Sequence, residues 1–190
     1  MSIEKLVLQN RSYRAFDESA PISAEVMREL VDLARKTASG MNKQPLRYRI
    51  LCEKGDVAAM TKSCRFAMKL GIPLPPEGQS PTGFILIFID REAGSPTSLA
   101  LKDVGIAAQT ILLGATEKGF GGCMLGSFDP EQLCADFRIP ARYEPALAIA
   151  LGKPAELAVL TEATDGNLDY YRDEAGTHYV PKRTAKDIYI

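Results

Sequence analysis

Two arginines and a serine stand within four residues near the start of the chain, as Arg11, Ser12 and Arg14. A planar guanidinium group can hold a phosphate through two parallel hydrogen bonds, and a serine hydroxyl adds another donor. Such a cluster is more often solvated surface, but its position between a short helix and a well-capped one also suits the edge of an anion pocket. The segment therefore predicts either exposed basic residues or a phosphate site.

A second segment that could take part in ligand binding contains Ser39, Gly40, Asn42 and Gln44, followed directly by Pro45. By itself this composition is typical of a helix C-terminus and a turn into a strand. The small and amide-bearing residues also suit a loop whose backbone and side chains face a flat polar heterocycle. Both interpretations stay open on these residues alone.

Two further segments could contribute to a binding site. The glycine-rich run 121–128, which includes Gly126 and Ser127, lacks the strand-then-helix setting of a dinucleotide fingerprint. Glycine nevertheless allows a backbone to approach a ligand closely. The basic pair Lys182 and Arg183 would ordinarily be solvated. Each of these segments, taken singly, is weak support for a site.

Candidate catalytic side chains are few in this sequence. The four cysteines have no CxxC spacing and are expected to be free thiols. The one histidine, His178, is more typical of a packing or surface residue than of a catalyst. A histidine-dependent triad and a metal site are therefore not expected. A chain of this kind fits an enzyme whose bound cofactor carries the chemistry.

The composition is that of an ordinary soluble globular protein. Hydrophobic residues make up 46% and charged residues 25% of the 190, and the formal net charge is −1. The chain lacks the long basic block typical of nucleic-acid binding, an N-terminal secretory signal, and an apolar run of the ~20 residues that cross a bilayer. We therefore expect a cytoplasmic protein without nucleic-acid or membrane partners.

Apolar periodicity and capping residues predict one α+β domain over residues 1–190, with helices and strands around a central sheet in three layers. Closely spaced prolines exclude a regular helix over 71–83 and predict a stiff loop there. Residues from 161 onward have the composition of a polar tail. The predicted helices are 2–9, 23 to about 37–40, 54–70, 98–118 and one beginning at Asp129, and the predicted strands are 47–52, 84–89, 121–128 and 145–151.

The four chemically suggestive segments, in this order and at this spacing, resemble the signatures of the FMN-dependent nitroreductase family. The likeness extends from Asn10 to Arg183 and includes the central helix between Asp103 and Gln109. It implies a short, single-domain member with a three-layer α/β/α fold, a central, mainly antiparallel sheet, and a homodimeric assembly. It also implies that FMN lies at the subunit interface in sites built from both chains, and that the C-terminal tail, about 161–190, wraps the partner subunit.

This resemblance also implies how the phosphate end of FMN is bound. Arg11, Ser12 and Arg14 become the expected ligands of the phosphate and the ribityl chain. A basic residue near the C-terminus returns to the phosphate in this family, and Arg183 is a better match for it than Lys182. Many members have a basic residue where this chain has Asn10, so one charged contact could be replaced by an amide.

The ring end of FMN is implied to contact two other segments. Backbone N–H groups at Gly126 and Ser127 are expected near the reactive N5 atom. In place of an additional helical segment found in longer members, this chain has the proline-rich loop 71–83, which is expected to form the pocket wall together with Arg65 or Lys69. The residues implied at the flavin edge, often donated by the partner subunit, are Ser39, Gly40, Asn42 and Gln44.

The implied activity is an NAD(P)H oxidoreductase with a ping-pong mechanism, in which flavin N5 carries the hydride and nitroaromatics, quinones or similar electron-poor compounds act as acceptors. No catalytic side chain is required by this chemistry. Two alternatives stay open. One is a flavoprotein of the same fold with other chemistry, such as dehalogenation or flavin breakdown, and the other is a non-catalytic FMN-binding carrier, regulatory module or scaffold.

Overall fold

A computed structural model describes the whole chain, from Met1 to Ile190. The chain forms five α-helices and eight β-strands in two sheets. The helices are α1 (Ile3–Gln9), α2 (Ala24–Ala34), α3 (Lys54–Ser63), α4 (Thr97–Glu117) and α5 (Pro130–Asp136). The strands are β1 (Phe16–Asp17), β2 (Leu46–Leu51), β3 (Gly83–Asp90), β4 (Gly121–Leu125), β5 (Tyr143–Pro154), β6 (Ala158–Glu162), β7 (Tyr171–Arg172) and β8 (His178–Lys182).

The long strand β5 organises the main sheet, in which every pairing is antiparallel. One edge of β5 pairs with β3, and β3 pairs in turn with β2. The other edge pairs with β4 over residues 148–152 and with β1 over residues 153–154. Because β4 lies on an edge of this sheet, other segments of the chain can approach it.

The strand β3 is buried along its whole length, and its alternate side chains enter two separate cores. Ile85 and Ile87 pack with α2 and α4 on one face, whereas Phe84 and Leu86 pack with α3 and α5 on the other. A strand covered on both faces requires the continuous apolar run seen in the sequence. The predicted three-layer α/β/α fold with a mainly antiparallel sheet is confirmed.

Local sequence signals begin three helices where they were expected. Ser2, Ser23 and Asp129 each accept a hydrogen bond from a backbone N–H in the first turn of α1, α2 and α5. Pro130 occupies the first position of α5, where no N–H is required. The central helix α4 begins and ends within one residue of the predicted range 98–118.

Two helices end earlier than predicted. α2 ends at Ala34 rather than at 37–40, because the following residues leave the apolar stripe and the Thr37 hydroxyl donates to the Ala34 carbonyl at 2.7 Å. α3 ends at Ser63 rather than at 70, because the Arg65 N–H donates to the Ser127 carbonyl at 2.9 Å instead of to a helical partner. A long-range hydrogen bond thus overrides local helix propensity.

The strand bounds differ from the prediction where pairing, rather than composition, decides them. β4 ends at 125 instead of 128, where its pairing with β5 ends. β5 extends over 143–154 instead of 145–151, because its two ends pair with β3 and β1. Residues 71–82 of the predicted loop 71–83 contain neither helix nor strand, whereas its last residue, Gly83, pairs with Leu151 and begins β3.

The C-terminal region, with its polar composition, forms a second sheet that the sequence did not predict. β8 pairs in parallel with β6 and antiparallel with β7, and the Tyr171 and Tyr179 rings stack with centroids 5.0 Å apart. These strands are short, β8 contains Pro181, and β6 pairs with β8 across residues 163–177, so local alternation does not reveal them. The single-domain boundary 1–190 and the wrapping of a partner by residues 161–190 stay predictions.

One helix, α4, is long and apolar enough to be compared with a membrane span. Within its most apolar window, 56% is buried inside the protein. It packs against α2 and the main sheet, as the core helix of a layered fold does.

The close packing at Gly122 gives a test of the fold. A methyl group added there would overlap the Ala150 carbonyl oxygen and lie 2.8 Å from Leu112 Cδ2. We expect Gly122→Ala to reduce the free energy of unfolding by roughly 1–3 kcal/mol in urea titrations. Gly55→Ala is the control, since nothing lies within 4 Å of its added carbon. Equal urea midpoints for Gly122→Ala and the wild type would contradict this account of the β4 edge.

Candidate functional site

The segment from Arg11 to Arg14 lies along the edge strand β4. The N–H of Tyr13 donates to the Gly122 carbonyl at 3.0 Å, and Ser12 forms a parallel bridge with Gly122. A carbon added at Gly121 would lie 2.5 Å from the Tyr13 ring. Gly121 therefore allows this segment to approach the strand, whereas Gly122 makes room for β5 and for Leu112 of α4, and neither glycine makes room for a ligand.

A cavity of about 420 Å³, here named the cationic cavity, opens between this segment, α4, β4 and β8. Three of its lining residues, Arg11, Arg14 and Lys182, carry positive charge, and none of its lining residues is acidic. The side chains of these three residues form no ion pair. A concave site with three uncompensated cations is suited to a multivalent anion.

Several polar atoms of the cationic cavity are buried without a hydrogen-bond partner. They include Nε of Arg11 and Nε of Arg14. The same side chains use one terminal nitrogen each, since Arg11 donates to the Val7 carbonyl at 2.6 Å and Arg14 to the Ser12 carbonyl at 3.1 Å. Burial lowers the pKa of Arg11, although a guanidinium stays charged at neutral pH. Unsatisfied charged donors are costly, so these atoms favour a bound anion.

The position of Asn10 is also informative. It lines the same cavity, and its Oδ1 atom is buried without a partner. The amide therefore stands where many relatives are expected to have a basic residue, and a ligand at this point would meet an amide rather than a third arginine.

The structure brings Lys182, and not Arg183, to the cationic cavity. His178, Val180 and Lys182 all line it, and they alternate along β8. Side chains of a strand point to opposite faces in turn, so the residue following Lys182 is directed away. Arg183 is exposed and does not line the cavity, although the sequence favoured it.

A buried carboxylate, Glu156, fixes the arginine segment and was not predicted from the sequence. It accepts hydrogen bonds from the backbone N–H groups of Arg14 and Ala15, and it pairs with Arg172. The Glu156 side chain is 4% exposed. Glu156 belongs to no recognisable sequence motif. Its position a few residues after the predicted strand 145–151 is the one sequence feature that could have indicated a role.

His178 is a packing residue beside Arg14, as its isolation in the sequence suggested. It is 1% exposed, and its Nε2 atom lies 3.2 Å from Nη1 of Arg14. Because arginine only donates, Nε2 accepts and the ring is neutral. Burial, with the charges of Arg14 and Arg172, lowers the pKa of His178 to about 4. The ring of Tyr170 lies 5.4 Å from that of His178 and 5.5 Å from the Arg14 guanidinium carbon.

A second concavity of about 340 Å³, here named the Gly126 cleft, adjoins the cationic cavity. Gly126 and Ser127 line it, and Arg14 lines both concavities. No atom would contact a carbon added at Gly126, so the backbone there faces open space. Two separated sequence segments, the arginine segment and the Gly126 turn, are thus neighbours.

The wall of the Gly126 cleft differs from the expected one in part. Arg65 and Lys69 both line it, together with Met68. None of the residues 71–83 does so, because the chain turns away after the short 3₁₀ segment Met68–Leu70. The wall is therefore the segment before the proline-rich loop, and not the loop itself.

The loop from Ser39 to Gln44 lies elsewhere, against Asp103 of α4. The Ser39 hydroxyl donates to Asp103 at 2.7 Å, and the Gly40 N–H donates to the same carboxylate at 2.9 Å. The N–H of Gln44 donates back to Ser39 Oγ at 2.9 Å, and the Gln44 side chain donates to Asn42 Oδ1 at 3.1 Å. Ser39 and Gln44 line a separate cavity of about 140 Å³, which shares no residue with the cationic cavity.

Within one chain, therefore, the sequence-predicted residues form two groups. The first group contains Arg11, Ser12, Arg14, Lys182, Gly126 and Ser127, and the second contains Ser39, Gly40, Asn42 and Gln44. The two groups would form one site only if a second subunit brought its Ser39–Gln44 loop to the cationic cavity. The dimer that this requires stays a prediction.

Comparison with known proteins identifies the family. The sequence model of the nitroreductase family matches residues 7–71 and 78–153. The chain belongs to the nitroreductase family. The unmatched residues 72–77 lie in the proline-rich loop 71–83.

Individual relatives are distant but similar over most of their length. YodC of Bacillus subtilis (strain 168), provisionally named an NAD(P)H nitroreductase, is 26% identical in an alignment that covers 77% of this chain and 87% of YodC. A Desulfovibrio desulfuricans protein, whose crystal structure is a complex with FMN, is 25% identical with a TM-score of 0.69, over 82% of this chain and 88% of that one.

A solved structure from Staphylococcus epidermidis, provisionally named an NAD(P)H:FMN oxidoreductase, matches the fold over 100% of this chain and 95% of its own. Its TM-score is 0.72 and its sequence identity is 18%. The C-terminal sheet therefore falls within the region of matching fold, although the family model itself ends at residue 153.

The low pKa of His178 predicts a measurable effect of pH on stability. The unfolded chain binds a proton near pH 6.5, whereas the folded ring stays neutral to about pH 4. The free energy of unfolding should therefore decrease as the pH falls from about 6.5 to about 4, by roughly 1.4 kcal/mol per unit of difference between the two pKa values.

Urea unfolding of the wild type and His178→Gln across pH 4–7.5 isolates this effect, because the variant has no histidine to titrate. We expect the stability difference between the two proteins to change over this interval. Parallel stability curves would show that His178 is not buried in the neutral form.

Proposed function

We propose that this protein is an FMN-dependent oxidoreductase that oxidises NAD(P)H and reduces nitroaromatic, quinone or similar electron-poor acceptors in a ping-pong order. The observation that carries the proposal is the cationic cavity, with three cations, no acidic lining residue and unpaired guanidinium nitrogens. Membership of the nitroreductase family and the FMN complex of a relative point to the same cofactor.

The residues present fit an FMN phosphate. A phosphomonoester carries about −1.5 to −2 charge at neutral pH and three strong acceptor oxygens. Arg11, Arg14 and Lys182 supply the matching charge, and Ser12 supplies a hydroxyl in the same cavity. These four residues would hold the phosphate and the adjacent ribityl chain.

Bound FMN would supply hydride chemistry at its N5 atom, which is why few catalytic side chains are needed. The Gly126 cleft adjoins the phosphate site, and its backbone faces open space at Gly126. Burial raises the pKa of the Cys123 thiol, which lines the cleft, so this thiol is a poor proton donor near neutral pH. Solvent supplies the proton: a nitro compound, one NAD(P)H and one proton give a nitroso compound, NAD(P)+ and water.

Two exposed apolar surfaces support a homodimer. α1 has no buried residue, although Ile3, Val7 and Leu8 are apolar and exposed. The neighbouring α4 exposes Leu101 and Ile106. A partner placed on this face would cover these side chains and could bring its Ser39–Gln44 loop to the flavin.

The flavin assignment is tested by anaerobic spectroscopy of the purified protein reconstituted with FMN. We expect flavin bands near ~450 nm that bleach when NADH or NADPH is added, and that return when a nitroaromatic or quinone follows. Bound flavin that does not bleach would indicate a carrier or a different electron donor. Failure to bind added FMN would contradict the proposal.

The phosphate assignment predicts a specific loss of affinity. Arg14→Ala removes a charge-assisted contact of about 1.5–3 kcal/mol, so the dissociation constant for FMN should rise roughly 10-fold to 100-fold. Fluorescence titration measures it, and Arg28→Ala, an exposed arginine on α2, serves as the matched control. Unchanged affinity in the Arg14 variant would place the phosphate elsewhere.

The dimer is tested by charge insertion. Ile106→Glu should yield a monomer in light scattering after gel filtration, because the carboxylate would lie in an apolar interface. Ile72→Glu, at an exposed apolar residue outside this face, should leave the mass unchanged. A dimeric Ile106→Glu protein with normal flavin content would contradict the interface.

A further inference from the structure

One positively charged side chain of the Gly126 cleft has no ion pair and no hydrogen bond. The lining residues of the cleft include Arg14, Arg65 and Lys69, and none is acidic. Arg14 is engaged with Ser12 and His178 on the side of the cationic cavity, and Lys69 pairs with Asp169. Arg65 has neither an ion pair nor a side-chain hydrogen bond, so it is the free cation of the cleft.

The backbone at Arg65 is held in position, whereas its side chain is exposed. Its N–H donates to the Ser127 carbonyl at 2.9 Å, which joins it directly to the turn that follows β4. The residues on either side, Cys64 and Phe66, are buried in the core. A fixed backbone with an unengaged guanidinium is suited to contact a ligand in the cleft.

The nearest acidic residues do not neutralise Arg65. Asp129 and Glu131 line an adjacent concavity that Arg65 itself also lines. Oδ1 of Asp129 accepts hydrogen bonds from the first turn of α5, and neither carboxylate is within ion-pair distance of Arg65. The guanidinium is therefore available to an anion from solution.

The remaining wall of the cleft is suited to an aromatic ring. Met68, Met124 and Leu125 line it, and methionine side chains adapt to flat apolar ligands. An apolar wall beside one free cation matches a ring that carries an anionic substituent.

We propose that the cleft selects electron-poor acceptors that carry a carboxylate or a similar anionic group, and that Arg65 is the residue that determines this preference. The proposal rests on the function proposed above and names the substrate class within it. Arg65 pairs with the anionic group of the acceptor and takes no part in electron transfer.

The test compares two acceptors of similar size that differ in charge, 4-nitrobenzoate and 4-nitrobenzamide. The holoenzyme should show a higher kcat/KM for the anion, by roughly twofold to fivefold, as expected of an exposed ion pair. The preference should decrease as salt is added. In Arg65→Gln the ratio of the anion to the amide should fall roughly twofold to fivefold through a higher KM for 4-nitrobenzoate, whereas Arg65→Lys should retain part of the preference and Arg28→Gln all of it.

The outcomes separate this proposal from the function on which it rests. Equal kcat/KM values for both acceptors in the wild type would overturn the charge preference alone. Reduction of neither acceptor by a protein whose flavin bleaches would overturn the acceptor class, and this proposal with it. Loss of bound flavin in Arg65→Gln, or a changed NADPH-to-NADH ratio with the acceptor ratio intact, would assign Arg65 to the cofactor or the reductant instead.

Discussion

The uncompensated positive charge of the cationic cavity is the constraint on which the proposed function depends. Arg11, Arg14 and Lys182 come from opposite ends of the chain and meet where no carboxylate balances them. Like charges repel, and buried guanidinium nitrogens without partners are unfavourable. Such an arrangement is expected to lower the stability of the ligand-free protein and to favour binding of an anion, which agrees with the proposed phosphate site.

The same region shows how the fold maintains these charges. Glu156 accepts hydrogen bonds from the backbone at Arg14 and Ala15 and pairs with Arg172, so one buried carboxylate joins the N-terminal segment to the C-terminal sheet. It compensates Arg172 and positions the Arg14 backbone, yet it leaves the Arg14 guanidinium directed to His178 and the cavity. The C-terminal sheet therefore forms part of the wall of the cationic cavity.

The sequence predicts those features that depend on nearby residues. The apolar run of β3 and the capping residue Asp129 predict elements that the structure confirms, because burial on both faces and helix capping are read from adjacent positions. Pairings between distant segments are not readable in this way. Glu156 and the strand β8 are missed for that reason. If the sequence had revealed β8, the alternation of its side chains would have placed Lys182, rather than Arg183, on the same face as His178.

The central claim is that the cavity binds a phosphate, and riboflavin tests it directly because it is FMN without that group. Fluorescence titration of the flavin-free protein with each compound should give an affinity for FMN that is about 100-fold or more above that for riboflavin, since two or more charge-assisted contacts are lost. The FMN affinity should also weaken as salt is raised. Equal affinities for FMN and riboflavin would contradict the account, because the three cations would then have no part in binding the cofactor.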